Sequence, residues 1–213
     1  AGYSVDISGD RIVMGAPGNP GNAFVFKGEN GVWTEEAVLP KPSETVTVNY
    51  TLGAWCPTCP IFSYSTTVDY SNSRHGESVS IDGTRIIVGI PNAGWQGSAV
   101  NQAYSYNNGA VMVYEFSSST SEWVHDHTKK SSDYHGVNTN GYDRFGASVD
   151  LQGAWAAIGA PDFDGGGHGY RYDANANGGL SAANGAYLAT KQGTSVALFN
   201  GGSNVLLGDP TST

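Results

Sequence analysis

Few side chains in this sequence have the types and spacing to do chemistry. Asp173-Ala-Asn175-Ala-Asn177-Gly178 sets three oxygen-bearing side chains at alternate positions before a glycine. That is the opening of a loop that can wrap a hard cation, and calcium is the ion such oxygens suit. Positions nine and twelve of the loop are Ser181 and Asn184, so Asp162 or Asp164 would have to fold over to add charge. The competing reading is a loop whose Asn and Asp side chains cap their own backbone. Trp55-Cys56-Pro-Thr-Cys59 has the spacing of a dithiol redox motif, which normally opens a helix that activates the thiol. Here Pro60 and a strand-like run follow, so the expectation is a local Cys56–Cys59 disulfide in an oxidising compartment, with redox catalysis as the alternative. His125 and His127 share a face if their segment is a strand, but the sequence offers no third metal ligand, and an exposed strand edge is expected.

Trp95, Tyr104 and Tyr106 cluster in one polar insertion, where aromatic faces beside Asn and Gln could hold a sugar or a protein partner. The competing reading is that they pin a long loop onto a sheet. Asn49-Tyr-Thr51 is a glycan acceptor if the chain is secreted. Ser4, Ser78 and Ser148 recur at one place in a repeat, and none lies in a Gly-x-Ser-x-Gly elbow. They are therefore expected to serve the fold. With no carboxylate pair offering distinct acid and base roles, the chain reads as a non-enzyme.

The elements that must position these residues are written three times. Gly2-Tyr-Ser-Val, Gly76-Glu-Ser-Val and Gly146-Ala-Ser-Val each lead through a short glycine turn into an apolar run ending in Gly15-Ala-Pro17, Gly89-Ile-Pro91 or Gly159-Ala-Pro161. The first and last glycines of each copy are 13 residues apart, and successive copies start 74 and 70 residues apart. Short runs rich in Val, Ile, Tyr and Thr, bounded by Gly, Asn or Pro, predict strands. Ser4–Ile7, Arg11–Met14, Ala23–Lys27 and Val32–Leu39 make a four-stranded meander, and the same order returns after Ser78. In the third copy the third and fourth strands are expected at Ser195–Phe199 and Asn204–Leu207, with Asn184–Leu188 an open alternative third strand. A degenerate fourth unit ending at Gly208-Asp-Pro210 is a further reading.

Thirty glycines, 10 Lys plus Arg and a net charge of −9 describe a turn-rich acidic chain. A nucleic-acid partner is excluded by the lack of any basic cluster beyond Lys129-Lys130. No apolar run approaches the roughly 18 residues of a spanning helix. Without an initiator Met or signal peptide, the sequence reads as a processed chain or an excised piece.

Phe145-Gly146, the Ser-Val strand and Gly159-Ala-Pro161 resemble the Phe-Gly/Gly-Ala-Pro (FG-GAP) repeat of integrin α-subunit β-propellers, with Ala1 or His75 replacing Phe and Ile90 replacing Ala in the other copies. The resemblance implies an all-β, β-propeller-like fold of three four-stranded antiparallel blade repeats, a partial or small propeller. The chain is divided as one repeat domain, residues 1–213, with units 1–72, 73–142 and 143–213 and insertions at 40–73, 92–108 and 162–193. The family's calcium loop does not carry over, because the corresponding connections are only Ser8-Gly9-Asp10, Asp82-Gly83-Thr84 and Gln152-Gly153. The expected role is a secreted or cell-surface structural or adhesive module acting through protein partners or self-assembly, as in a filament or surface layer. A glycan-binding, lectin-like propeller using the insertion aromatics is the alternative.

Overall fold

The computed structural model describes residues 2–18, 21–41, 45–50, 62–67, 70, 73–99, 102–106, 108–130, 143–163, 167–175, 180, 189–190 and 193–208. Within 45–50, 62–67, 95–99, 102–106 and 189–190 only the backbone is described. The described elements are all strands, in antiparallel sheets. The first sheet holds β1 (Ser4–Ser8), β2 (Arg11–Ala16), β3 (Asn22–Glu29) and β4 (Val32–Val38) in that order. After the hairpin β5 (Thr45–Tyr50)–β6 (Phe62–Thr67), the second sheet is built from β7 (Val79–Asp82), β8 (Arg85–Ile90), β11 (Ala110–Ser117) and β12 (Glu122–Lys130). The hairpin β9 (Trp95–Ala99)–β10 (Gln102–Tyr106) is inserted between β8 and β11. The third sheet holds β13 (Ser148–Gln152), β14 (Trp155–Ala160), β15 (His168–Asp173) and the short β16 (Ala189–Thr190). A final hairpin pairs β17 (Ser195–Phe199) with β18 (Asn204–Gly208).

Each sheet opens with one tight hairpin. Gly9, Gly83 and Gly153 have φ of 59°, 59° and 57° at the first of two turn residues, as a type II′ turn demands. The turn sets the register Ser4↔Gly15, Val79↔Val88 and Ser148↔Gly159. The third strand of each sheet pairs with the second, Gly15↔Ala23, Val111↔Gly89 and Gly159↔Gly169. Sheets one and two carry a bulge at the same place, between Val25 and Phe26 and between Val113 and Tyr114.

Two expected strand assignments are corrected, and the fourth strand of the third sheet is Ala189–Thr190, not Asn204–Leu207. The third strand of the third sheet is His168–Asp173, whereas Ser195–Phe199 leads its own hairpin with register Ser195↔Gly208. The residues repeat the opening pattern, Gly193-x-Ser195-Val196 leading to Gly208, so the hairpin begins a fourth unit. Its turn, Asn200–Ser203, is two residues longer than the others, which hid the match. Asn184–Leu188 lies outside the described residues.

The core is split between units. Val13, Val25 and Leu39 of unit one pack with Val79, Ile81, Ile86, Val88, Met112 and Tyr114 of unit two. Ile87, Val111 and Val113 on the other face of unit two pack with Val149, Leu151, Ile158, Tyr170 and Tyr172 of unit three. The leading strands lie side by side in the order β1, β7, β13, β17. At roughly 1.5–3 kcal/mol per buried large aliphatic or aromatic side chain, these junctions supply much of the drive to fold.

Candidate functional site

The repeat motif is a joint between units. Ser4 Oγ donates to the Gly76 carbonyl at 2.9 Å, Ser78 Oγ to Gly146 at 2.8 Å and Ser148 Oγ to Gly193 at 3.0 Å. The last glycine of each motif leaves room for that contact. A Cβ on Gly15, Gly89 or Gly159 would lie 2.0 Å from the next unit's glycine carbonyl oxygen. The receiving glycines have φ of 91°, 90° and 108°, which a side chain would oppose.

Two further polar rungs follow along each leading strand. Asp6 accepts from the Ile81 N–H at 2.8 Å, Ser80 Oγ from Leu151 at 3.1 Å, and Asp150 from Leu198 at 2.5 Å. Burial pushes the Asp150 carboxyl up, and the N–H donors of Leu198 and Leu151 oppose that shift. Next, Ser8 Oγ accepts from Gly83 N–H at 3.0 Å, Asp82 from Gly153 at 2.5 Å and Gln152 Oε1 from Gly202 at 2.8 Å. Charged bridges tie the rims. Arg11 grips Glu36 at 2.8 Å while lying over the Phe116 ring, and Glu36 also accepts from Trp123 Nε1 at 3.0 Å. The Arg11 contact holds the Glu36 carboxyl below its ordinary value. Glu77 sits between Arg74 at 2.6 Å and Arg144 at 2.8 Å. Arg85 pairs with Glu115 and reaches Asn175 Oδ1 of unit three at 2.8 Å.

The outer faces of the first and last described units are exposed. Val5 and Ile7 are 62% and 58% exposed, although their counterparts Val79 and Ile81 are only 7% and 4% exposed. At the other end Leu206 is 66% exposed, against 0% for its counterparts Val13, Ile87 and Ala157. Phe199 is exposed beside it on the same leading face. The sequence pattern alone did not mark these residues, because Val5 and Val79 occupy the same motif. The signal was there only in their rank along the repeat series.

The residues first singled out are dispersed. Asp173 Oδ1 accepts the Asn175 N–H at 2.8 Å, a self-capped turn, and Asn175 Oδ1 faces the Arg85 guanidinium. Asn177 and Asp164 lie outside the described residues, and Asp162 sits 3.7 Å from Arg144. Among the described residues no cluster of three or more His, Cys, Asp or Glu is placed to hold a metal. Cys56 and Cys59 lie outside the described residues. Asn49 is on β5 opposite Ser63. The β9–β10 register sets Trp95 opposite Tyr106 and Gly97 opposite Tyr104, which puts the three aromatics at positions of one hairpin face. His125 and His127 do not converge. His125 Nε2 meets Thr128 Oγ1 at 3.0 Å, while His127 Nε2 accepts the Leu180 N–H at 2.8 Å and its Nδ1 meets Asp126 at 2.7 Å. Ser4, Ser78 and Ser148 act in the joints, as expected of residues that serve the fold. Among the described residues no helix is long and apolar enough to cross a membrane.

Compared with known proteins, the chain matches no family model and no curated sequence.

Proposed function

We propose that this chain is a non-enzymatic, extracellular structural or adhesive module of the FG-GAP, propeller-like kind, acting through protein–protein contacts in a filament or surface assembly. The observation that carries the reading is the contrast in exposure between equivalent faces of successive units. Val79 and Ile81 are buried by a neighbouring unit, and the equivalent Val5 and Ile7 are not. Exposed apolar side chains on a surface built to pack against another unit mark an interaction site. The propeller-like arrangement is supported by the side-by-side leading strands and by clasps repeated at three successive joints. The extracellular placement rests on the Asn49 sequon and on the expected Cys56–Cys59 bridge.

Beads coated with the chain test the adhesive role. They should cluster with beads carrying extracellular-matrix or cell-surface proteins, and Ile7→Asp or Phe199→Asp should suppress the clustering. Clustering that survives both substitutions removes the end faces from the reading. A second reading, a glycan-binding module, is favoured by the β9–β10 register that groups Trp95, Tyr104 and Tyr106. Binding on a glycan array that Trp95→Ala abolishes would establish it in place of the first.

A further inference from the structure

The second residue past the motif serine is Asp6, Ser80 and Asp150 in successive units. Strands β1, β7 and β13 lie side by side, so this position stacks one uncharged residue between two acids. Ser80 is only 1% exposed, and both carboxylates reach its hydroxyl. Its Oγ lies 2.8 Å from Asp6 Oδ2 and 3.3 Å from Asp150 Oδ1. A hydroxyl has one proton to donate, and the shorter contact assigns it to Asp6. The Leu151 N–H is shared, at 3.1 Å from Ser80 Oγ and 3.0 Å from Asp150 Oδ1. With Asp150 ionised, its Oδ1 and the Ser80 oxygen therefore meet lone pair to lone pair, with that single N–H as their common donor.

A proton on Asp150 Oδ1 removes this mismatch. It donates to a lone pair of Ser80 Oγ, and the chain of bonds then runs one way, from Asp150 through Ser80 to Asp6 Oδ2. No other bond has to break. Asp150 Oδ2 keeps the Leu198 N–H, Asp6 Oδ2 keeps that of Ile81, and Asp6 Oδ1 keeps that of Ile7. We infer that Asp6, Ser80 and Asp150 form one proton-sharing relay across the leading strands, and that the joints between units one, two and three tighten when the relay takes up a proton.

The surroundings favour that uptake. Strands β7, β8, β14 and β17 pack against β13, which carries Asp150. Of these, β14 and β17 have no titratable side chain. On β7, Asp82 is engaged by the Gly153 N–H, and on β8, Arg85 is occupied with Glu115 and Asn175. Among the described residues, the charge left facing Asp150 is Asp6 on β1, of the same sign. Burial first, against the N–H donors of Leu198 and Leu151, and then the Asp6 charge hold the Asp150 carboxyl above 3.8. A group that binds its proton more tightly in the folded chain gives stability that is present in acid and lost as pH rises through the folded value.

The test follows the side-chain carboxyl carbons of the full chain by NMR from pH 8 down to pH 4. Asp150 should titrate above 3.8, and the Asp6 carbon should move through the same midpoint, because both report one shared proton. In Ser80→Ala the two should separate into independent steps. Urea unfolding gives a second readout. Asp150→Asn stands in for the protonated form, since its amide donates to Ser80 while its oxygen still accepts from Leu198. It should be more stable than wild type at pH 8, and the ratio of unfolding constants should close by up to about tenfold per pH unit as pH falls. Comparing the chains at equal pH cancels the groups they have in common. An Asp150 that titrates at or below 3.8 overturns the proposal, as does an Asp6 signal that ignores the Asp150 step. So does a Ser80→Ala chain whose two carboxyls still titrate together, or an Asp150→Asn chain no more stable than wild type at pH 8. Should Ser80→Ala fail to fold, the wild-type titration and Asp150→Asn decide by themselves.

Discussion

Acid should weaken this fold through one residue, His75, which occupies the place of Phe145 in the next unit. His75 is fully buried, and its Nε2 lies 3.0 Å from Tyr114 Oη. Tyr114 donates its single proton to the Pro40 carbonyl at 2.8 Å, since a carbonyl can only accept. Nε2 therefore carries the imidazole proton and donates to Tyr114, and Nδ1 is a buried lone pair with no hydrogen-bond partner. Protonating Nδ1 would add a charge in an apolar joint, near Lys41 and His125. Burial first, then those two charges, hold the His75 pKa down at about 3 from 6.5. With the folded pKa below the unfolded one, the unfolded chain binds the extra proton between these values. Stability therefore falls as pH drops from 6.5 toward 3 and is unaffected by this group above 6.5. At about 1.4 kcal/mol per unit, the full loss is on the order of 5 kcal/mol, comparable with the total stability of many domains. His75→Phe removes the titration and places the side chain that unit three already uses, edge-on to Tyr170 at 5.5 Å. The assay is urea unfolding followed by tryptophan fluorescence between pH 4 and pH 8, comparing wild type and variant at each pH so that the carboxylates cancel. The wild-type curve should fall below pH 6.5 by about one proton's slope more than that of the variant. Parallel curves would refute the burial argument.

Three other outcomes follow from the joints and the insertions. Gly89→Ala sets a Cβ 2.0 Å from the Gly146 carbonyl oxygen and should cost about 3 kcal/mol or more by calorimetry, whereas Ser78→Ala should cost only about 1 kcal/mol. Equal melting temperatures for the two would disprove the close approach. Glu36→Gln should destabilise by about 1.5–3 kcal/mol through loss of a charge-assisted bond to Arg11. Because Arg11 depresses the Glu36 pKa, that contribution is present above pH 4.5 and lost as pH falls further, so a wild type and variant equally stable at pH 7 would contradict it. Intact mass under non-reducing conditions should show the chain two hydrogens lighter than after reduction, with Cys56 and Cys59 alkylated only then; alkylation before reduction would rule out the bridge.

The sequence by itself determined the hairpins. The spacing from Gly76 to Gly89 and the glycine turn at Gly83 are local constraints, and they gave the β7–β8 pairing without any long-range information. The same logic found β1–β2 and β13–β14. It failed where local pattern is ambiguous: Ser195–Phe199 alternates like a third strand and like a first one, and only the pairing of β15 with β14 decided between them. Tertiary structure alone decided what the motif is for. Gly89 reads as a strand terminator, yet the reason it bears no side chain is a carbonyl on Gly146, 57 residues away in the chain. The same holds for the functional surface. Val5 and Val79 sit in the same motif, and one is exposed while the other is buried because burial depends on whether another unit lies against the strand. That is a property of the assembled series, which no window of sequence contains.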